Sequence, residues 1–289
     1  MDEGTRFNMS KVYEMIYLPT AQCNCRCAHC GLNFDTVDDN EKSCAEVADA
    51  IIKSKYINSN VVVQICGGEP FLRNDIAGFV IPLLKTFESC YVSITTNGIS
   101  TSNIANFADS IPPNLRSRVG FAISIDGIGE THNQIRKYKN AYNLAIQTTK
   151  IVASRGFKLH INTVIHEENI DQLKEMKRLF SNIPISFIPI CTDVSCDENF
   201  PYSDGAIQAF FSYLNNHPFF IKYICSKGHM SPPTDVTQGR KISLSCRMGI
   251  LSPATLVLRT SRIQIVITWA ISAIVDSIMY GKTATNTEL

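Results

Sequence analysis

The chain has 289 residues, with 27 lysines and arginines against 26 aspartates and glutamates, and a formal net charge of +1. This length predicts one large domain or a domain with an appendage, because domains commonly span roughly 100–200 residues. The hydrophobic fraction of 45% and the ordinary glycine and proline content exclude a disordered chain, a collagen and a coiled coil. The near-neutral charge gives no electrostatic basis for nucleic acid as the main partner.

Cysteine is the unusual residue type, with 11 in the chain. The start, Met-Asp-Glu-Gly, lacks the basic and apolar regions of a secretory signal, so we expect a reducing, cytoplasmic setting. There, clustered cysteines bind metal or carry out chemistry more often than they form disulfides. The longest apolar run, Ile263–Val275, is shorter than the roughly 18 residues of a membrane span. We therefore expect that run to be buried, and no membrane partner.

Strand-like and helix-like patterns alternate along the chain. Strands are predicted at 12–18, 61–66, 91–95, 119–125, 159–165 and 185–190. Helices are predicted at 43–54, 75–87, 102–109, 141–155 and 170–180. Six apolar strands separated by helices indicate an α/β chain with a parallel sheet, either doubly wound or a partial barrel. In both architectures the loops that follow the strands build the active site.

The loop after the first strand reads Cys23-Asn24-Cys25-Arg26-Cys27-Ala28-His29-Cys30. Four thiols in eight residues allow three interpretations. A zinc site would need a second cysteine pair, which the chain does not offer, and Cys27 and Cys30 could instead form a redox pair. Iron–sulfur ligation is the third interpretation, because thiolates in a tight loop hold such clusters. Cys23, Cys27 and Cys30 would leave one iron of a four-iron cluster without a protein ligand.

This Cys-x3-Cys-x2-Cys spacing after the first strand resembles the radical S-adenosylmethionine (SAM) superfamily. The string Gly67-Gly68-Glu69-Pro70 after the second strand resembles the segment that holds the amino group of SAM in that superfamily. The resemblance implies a partial (β/α)6 TIM-type barrel over residues 9–200, a 4Fe–4S cluster and bound SAM. Reductive cleavage of SAM would give a 5′-deoxyadenosyl radical, with a flavodoxin or ferredoxin as electron donor.

Further SAM contacts follow from the resemblance alone. Asn97 lies in a Thr-Thr-Asn-Gly string, and Ser124 and Asp126 resemble polar residues near the SAM ribose. Arg136 resembles an arginine that meets the SAM carboxylate, Asn162 another contact, and His29 a group near the adenine. The residues alone also permit turns at 67–70 and 97–98, a solvated Arg136 and a strand-end hydrogen bond at Asn162.

The remaining cysteines and histidines receive plainer interpretations. We expect Cys25 to be a buried thiol that acts as a small hydrophobe, and Cys66 to face the site. Cys44 and Cys90 are predicted to lie in the core. Single histidines without metal-ligand spacing are predicted to be structural, namely His132, His160 and His166.

The segment 201–289 is predicted to be a C-terminal extension. Cys246-Arg247-Met248-Gly249 resembles the opening of the SPASM or twitch domain found in one branch of the superfamily, but no later cysteine follows. The resemblance therefore implies that this domain is truncated, or disrupted by a shifted reading frame near Leu251. The alternative is a native tail that folds against the barrel opening.

Three hypotheses for function follow. The SPASM-like string favours modification of a peptide or a protein side chain. Oxidation of a sugar or an aminocyclitol is the alternative within the superfamily. A catalytically inactive iron–sulfur or electron-transfer protein is the alternative from another class, although such a protein would not need the polar groups on the SAM side.

Overall fold

The computed structural model describes residues 11–30 and 41–189, together with the backbone of two strands, Leu256–Thr260 and Ile263–Ile267. Cys191, Cys196, Cys225 and Cys246, the last of which begins the SPASM-like string, lie outside the described residues. The proposed boundary between a core at 9–200 and an extension at 201–289 therefore stays a prediction.

Six strands follow the predicted order. They are β1 (Val12–Tyr17), β2 (Ile57–Ile65), β3 (Tyr91–Thr96), β4 (Val119–Ser124), β5 (Lys158–Ile165) and β6 (Ile185–Pro189). The helices are α1 (Cys44–Ile52), α2 (Ile76–Thr86), α3 (Thr101–Ser110), α4 (Glu130–Arg136), α5 (Ala141–Ser154) and α6 (Leu173–Leu179). The α4 helix was not predicted, and β2 begins earlier than expected because its first residues are polar.

The strands β1 to β6 are parallel, and each pairs with its neighbours in chain order. This arrangement forms a half-barrel, so the predicted partial TIM-type barrel is confirmed and the doubly wound alternative is not needed. Since all six strands run in one direction, their carboxyl ends meet at one rim. The loops that carry the candidate site residues leave from that rim.

The core lies between the outer face of the sheet and the helices. Alternate strand residues such as Val63, Ile65 and Ile94 are fully buried there, as is typical of parallel strands covered by helices. Phe121 packs edge-on against Phe107, with ring centroids 5.9 Å apart. Burial of each such side chain contributes roughly 1.5–3 kcal/mol, so this layer fixes the strands that carry the site.

A capping box begins α1. The Ser43 hydroxyl accepts a hydrogen bond from the Glu46 backbone N–H, and the Glu46 carboxylate accepts from the Ser43 N–H. The next backbone N–H, that of Cys44, donates to Asp75 at 2.9 Å. These bonds satisfy donors that a helix start otherwise leaves unpaired, and they tie α1 to the start of α2.

A β-hairpin extends the sheet beyond β1. Strands β7 (Leu256–Thr260) and β8 (Ile263–Ile267) are antiparallel, and β8 pairs with β1 through Tyr17 and Ile265. The described strands thus form an eight-stranded sheet in the order β6-β5-β4-β3-β2-β1-β8-β7. The first part of the apolar run at 263–275 is therefore a strand. In the described part of the chain no helix has the length and apolarity needed to cross a bilayer.

Candidate functional site

A cavity of about 140 Å³ opens at the carboxyl ends of β1 to β4. It gathers side chains and backbone from four loops that are far apart in sequence. Ten of the predicted site residues border it: Cys23, Cys27, His29, Cys30, Gly67, Gly68, Glu69, Asn97, Ser124 and Arg136. Pro70, Asp126 and Asn162 do not line it. Cys25, Cys66, Thr95 and Thr96 complete the lining, so the expectation that Cys66 faces the site is met.

The cysteine loop is fixed by backbone hydrogen bonds to the end of α4. Ala28 N–H donates to the Ile135 carbonyl at 3.0 Å, and Arg26 N–H donates to the Arg136 carbonyl at 3.3 Å. The Arg26 guanidinium folds back and donates to the Cys23 carbonyl at 2.7 Å. The loop therefore presents its thiols to the cavity without a regular element of its own.

The thiols of this loop have different proton affinities. The Cys25 thiol hydrogen-bonds to Cys27, and this bond, together with the Arg136 charge and against the effect of burial, lowers the pKa of Cys27 to about 6. A hydrogen bond from Cys25 likewise lowers the pKa of Cys23. Those same bonds, with burial, raise the pKa of Cys25. The thiolate is the metal-binding form of cysteine, and Cys23 and Cys27 lose their protons more easily than Cys25.

Glu69 is the buried carboxylate of the cavity, with 1% of its surface exposed. Its oxygens accept from the Phe71 N–H at 3.1 Å, the Thr96 hydroxyl at 2.7 Å and the Asn97 N–H at 2.7 Å. Burial raises the pKa of Glu69 despite these bonds. A carboxylate in this environment would be stabilised in its charged form by an ammonium group, which is what the resemblance expects of SAM.

Gly67 and Gly68 are required by the packing of the chain on itself. A side chain at Gly68 would place its Cβ 1.9 Å from the Gln22 carbonyl oxygen, and one at Gly67 would lie 2.6 Å from that of Thr20. The close approach also lets Glu69 N–H donate to Gln22 at 2.7 Å. The two glycines thus join the second-strand loop to the residues that lead into the cysteine loop.

Asn97 connects two parts of the site. Its side-chain Nδ2 donates to Asn24 Oδ1 at 2.7 Å and lies 3.5 Å from Cys25 Sγ. Its backbone N–H donates to Glu69, as described above. Asn97 therefore holds the cysteine loop and the carboxylate in one arrangement.

Asp126 and Arg136 form a buried ion pair, with 2.7 Å between Oδ2 and Nε. Asp126 Oδ1 accepts from the Val164 N–H at 2.8 Å, and Arg136 Nη1 lies 3.5 Å from Cys27 Sγ. Arg136 is 7% exposed, which excludes the solvated alternative. Asp126 lies behind the cavity lining and contacts the cavity through Arg136.

His29 pairs with His166, a histidine that was predicted to be structural. His29 Nδ1 and His166 Nε2 are 2.7 Å apart, and the two rings together with Asp126 bring potential ligand atoms within 4.8 Å of one another. Burial lowers the pKa of His29 to about 3 and that of His166 to about 4. The imidazoles bond each other and the carboxylate pairs with Arg136, so we interpret the group as a polar cluster rather than a metal site.

The two other predicted contacts occupy structural positions. Pro70 begins a short 3-10 turn, Pro70–Leu72, and is buried. Asn162 lies beside Ser124 in the strand register, and its carbonyl accepts from the Ile125 N–H at 2.9 Å. The strand-end hydrogen bond expected at Asn162 is therefore made by its backbone.

Comparison with known proteins decides the family. The sequence pattern of the radical SAM superfamily matches residues 17–180, which is more than half of the chain. The chain belongs to the radical SAM superfamily. Members of this superfamily use a 4Fe–4S cluster and SAM.

Individual relatives match part of this radical SAM chain. Pre-heme d1 synthase of Dinoroseobacter shibae is 30% identical over 169 residues, covering 57% of this chain and 39% of the relative. Mycofactocin maturase MftC of Mycolicibacterium smegmatis is 28% identical over 166 residues, covering 55% of this chain and 39% of the relative. The chain thus spans well under two thirds of the length of these relatives.

The fold of the radical SAM chain is similar to that of SuiB from Streptococcus suis, solved with its precursor peptide SuiA. The TM-score is 0.54 at 19% identity, over 76% of this chain and 47% of SuiB. The donor set of the cavity suits the cofactors of the superfamily. Cys23, Cys27 and Cys30 could hold a cluster, and Glu69 could bind an ammonium group beside it.

Proposed function

We propose that this chain is a radical SAM enzyme that modifies a peptide or a protein side chain, with its cluster held by Cys23, Cys27 and Cys30. One observation carries the assignment of the site. Three thiols of one loop border the same small cavity as the buried carboxylate of Glu69. A protein that only transferred electrons would gain nothing from burying that carboxylate beside the cluster.

A 4Fe–4S cluster held by Cys23, Cys27 and Cys30 would supply the one-electron reductive cleavage of SAM that starts hydrogen abstraction from the substrate. The residues of the chain bind and orient the reactants. Glu69 is positioned by three donors to receive the SAM amino group, and Arg136 faces the cavity close to Cys27 to pair with the SAM carboxylate. Ser124, Asn97 and His29 also line the cavity, where they would contact the rest of SAM.

The peptide substrate is supported by two of the similar proteins. SuiB was solved with a precursor peptide, and MftC is named a mycofactocin maturase. A flavodoxin or a ferredoxin is the proposed electron donor, because the cluster needs a one-electron reductant of low potential. The proposed location of the protein is the cytoplasm, where thiols stay reduced.

The experiment is anaerobic reconstitution with iron and sulfide, followed by reduction in the presence of SAM and assay for 5′-deoxyadenosine. We expect about four irons per chain, as in a single 4Fe–4S cluster, together with deoxyadenosine. Cys27→Ala should lose both, whereas Cys90→Ala, which removes a thiol buried in the core away from the cavity, should keep both.

A bound cluster without deoxyadenosine would favour the inactive iron–sulfur protein. Full iron content in Cys27→Ala would contradict the assignment of ligands. Cys25→Ala separates the thiols within the loop, because three proposed ligands remain in that variant and the cluster should still assemble.

A further inference from the structure

The inner face of the sheet, the face turned away from the helices, continues the lining of the cavity. Because side chains alternate along a strand, Thr95 and Ser124 on the cavity wall belong to this face. Ser124 is in register with Asn162 on β5, and Asn162 with Ser186 on β6. The inner face therefore extends across β5 and β6, beyond the residues that line the cavity.

His160 lies on this extension, two residues before Asn162. Its Nε2 is 2.8 Å from Ser186 Oγ, and the residue is 7% exposed. Its Nδ1 is buried without a hydrogen-bond partner among the described residues. An unpaired buried nitrogen costs about 1–3 kcal/mol, so a polar group that reached His160 Nδ1 would recover that free energy.

The strand between His160 and the cavity wall carries small side chains. The inner residues of β4 are Gly120, Ala122 and Ser124, and Ala122 is in register with both Thr95 and His160. A Cβ at Gly120 would lie 2.3 Å from Tyr91 Oη. The Tyr91 side chain therefore reaches over β4 from β3, whereas His160 approaches β4 from β5. Tyr91 Oη is also buried without a partner among the described residues. Two unpaired polar atoms thus flank a strip of small residues.

The charge of this face limits what it can bind. Among the described residues of β1 to β6, its acidic and basic side chains are Glu14, Lys158 and His160. The opposite charges of Glu14 and Lys158 cancel. Burial lowers the pKa of His160 to about 4, so its ring is neutral at pH 7. A substrate with several carboxylates or phosphates would need clustered arginines or lysines, which this face does not supply.

We propose that His160 is a substrate-binding residue whose Nδ1 hydrogen-bonds to an uncharged hydroxyl or amide group lying on the small residues of β4. This inference rests on the proposed function and deepens it, because it selects neutral substrates over polyanions. The shared chemistry is found in the backbone amide of a peptide and in the hydroxyls of a sugar. Ser186 fixes the orientation of the ring by bonding its other nitrogen.

The test uses the protein reconstituted with its cluster and SAM, and measures binding by saturation-transfer NMR. The probes are N-acetyl-L-serine methylamide, myo-inositol and inositol hexakisphosphate. The variants are His160→Phe, which keeps a ring without nitrogens, and His160→Asn, whose amide replaces Nδ1. Ser154→Ala, at an exposed helix end, serves as the control.

We expect one of the two neutral probes to bind, at least fivefold more weakly to His160→Phe and within twofold to His160→Asn and Ser154→Ala. The probe that binds tells a peptide from a sugar. If His160→Phe fails to fold, Ser186→Ala should weaken binding at least twofold. Equal binding to all variants, no binding of either neutral probe, or stronger binding of the hexakisphosphate would overturn the inference.

Iron content and SAM affinity of the wild-type protein, measured on the same samples, separate this test from that of the proposed function. A wild-type protein that lacks the cluster or does not bind SAM contradicts the proposed function. A wild-type protein with both, whose probe binding is indifferent to His160, contradicts this inference alone.

Discussion

Arg136 Nε lies 2.7 Å from Asp126 Oδ2, and neither side chain has more than 9% of its surface exposed. The same guanidinium reaches Cys27 at 3.5 Å. One buried cation therefore balances a carboxylate on the fourth strand loop and a thiol of the cysteine loop.

Removing that cation should destabilise the protein strongly. We expect Arg136→Met to lower the free energy of unfolding by about 3–5 kcal/mol, because Asp126 is left as an uncompensated buried charge. The double variant Asp126→Asn, Arg136→Met should regain part of this loss, since it removes the orphaned charge. Urea unfolding of the metal-free proteins measures both. Additive effects of the two substitutions would show that the residues do not act as a pair.

Glu69→Gln should weaken SAM binding without loss of the cluster. The substitution keeps the shape of the side chain but removes the charge that would pair with an ammonium group. We expect SAM affinity to fall roughly tenfold or more, since a charge-assisted hydrogen bond contributes about 1.5–3 kcal/mol. Equilibrium binding to the reconstituted protein measures the change, and iron content is the control. Unchanged affinity would remove Glu69 from the SAM site.

Two glycine-to-alanine substitutions should have opposite effects on the stability of the protein. Gly68→Ala would drive a Cβ to 1.9 Å from the Gln22 carbonyl, and we expect it to cost at least about 3 kcal/mol of stability and to abolish cluster assembly. Gly78→Ala on α2 meets its nearest atom at 3.6 Å, an ordinary contact, and should stabilise the protein by about 0.5–1 kcal/mol. The midpoint temperatures of thermal unfolding of the two variants and the wild type measure these changes. A tolerant Gly68→Ala would mean that the two loops do not pack this closely.

Stability should fall as the pH drops below about 6.5. Burial lowers the pKa of His132 to about 3, so the folded protein keeps this ring neutral while the unfolded chain takes up a proton. The contribution of the neutral His132 ring to stability is complete above the pKa of histidine in the unfolded chain. It is lost as the pH falls towards the lower pKa of His132 in the folded protein. The slope approaches about 1.4 kcal/mol per pH unit for each such proton.

His132→Asn tests this linkage. Asn Oδ1 can still accept the hydrogen bond that His132 Nδ1 receives from the Asp126 N–H at 2.9 Å, but it does not titrate. Between pH 6 and pH 5 the unfolding free energy of the metal-free variant should therefore depend less on pH than that of the wild type. Parallel pH profiles for the two proteins would rule out His132 as a contributor.

Much of the fold and of the cavity could be predicted because their signals are local. Apolar β-branched runs mark the six parallel strands, and parallel strands bring their following loops together. Cys23, Cys27, Cys30 and Glu69 therefore meet at one cavity although they come from two loops. The α4 helix was not predicted because its seven residues are too few to show a helical periodicity of apolar positions. Its N-cap residue, Gly129, has a φ of +60° and no side chain that could signal a helix start.

Other features depend on contacts that no local pattern encodes. His29 and His166 are 137 residues apart, and a single histidine after β5 carries no ligand spacing, although its place at the strand end was a usable signal. Gly67 and Gly68 border the cavity, and their Cβ positions are occupied by the carbonyls of Thr20 and Gln22. Which backbone fills the space over a glycine is known only once the loops are folded.

The pairing of β8 with β1 has a consequence for the order of events during synthesis. β1 leaves the ribosome early, but Ile265, the partner of Tyr17, follows only after the six parallel strands have been made. At roughly 5–20 residues per second this delay lasts on the order of 10–50 s. For that time the nascent sheet has an open edge directly before the cysteine loop, where other chains can add strands. The edge of β1 is therefore closed only after the six parallel strands have been made.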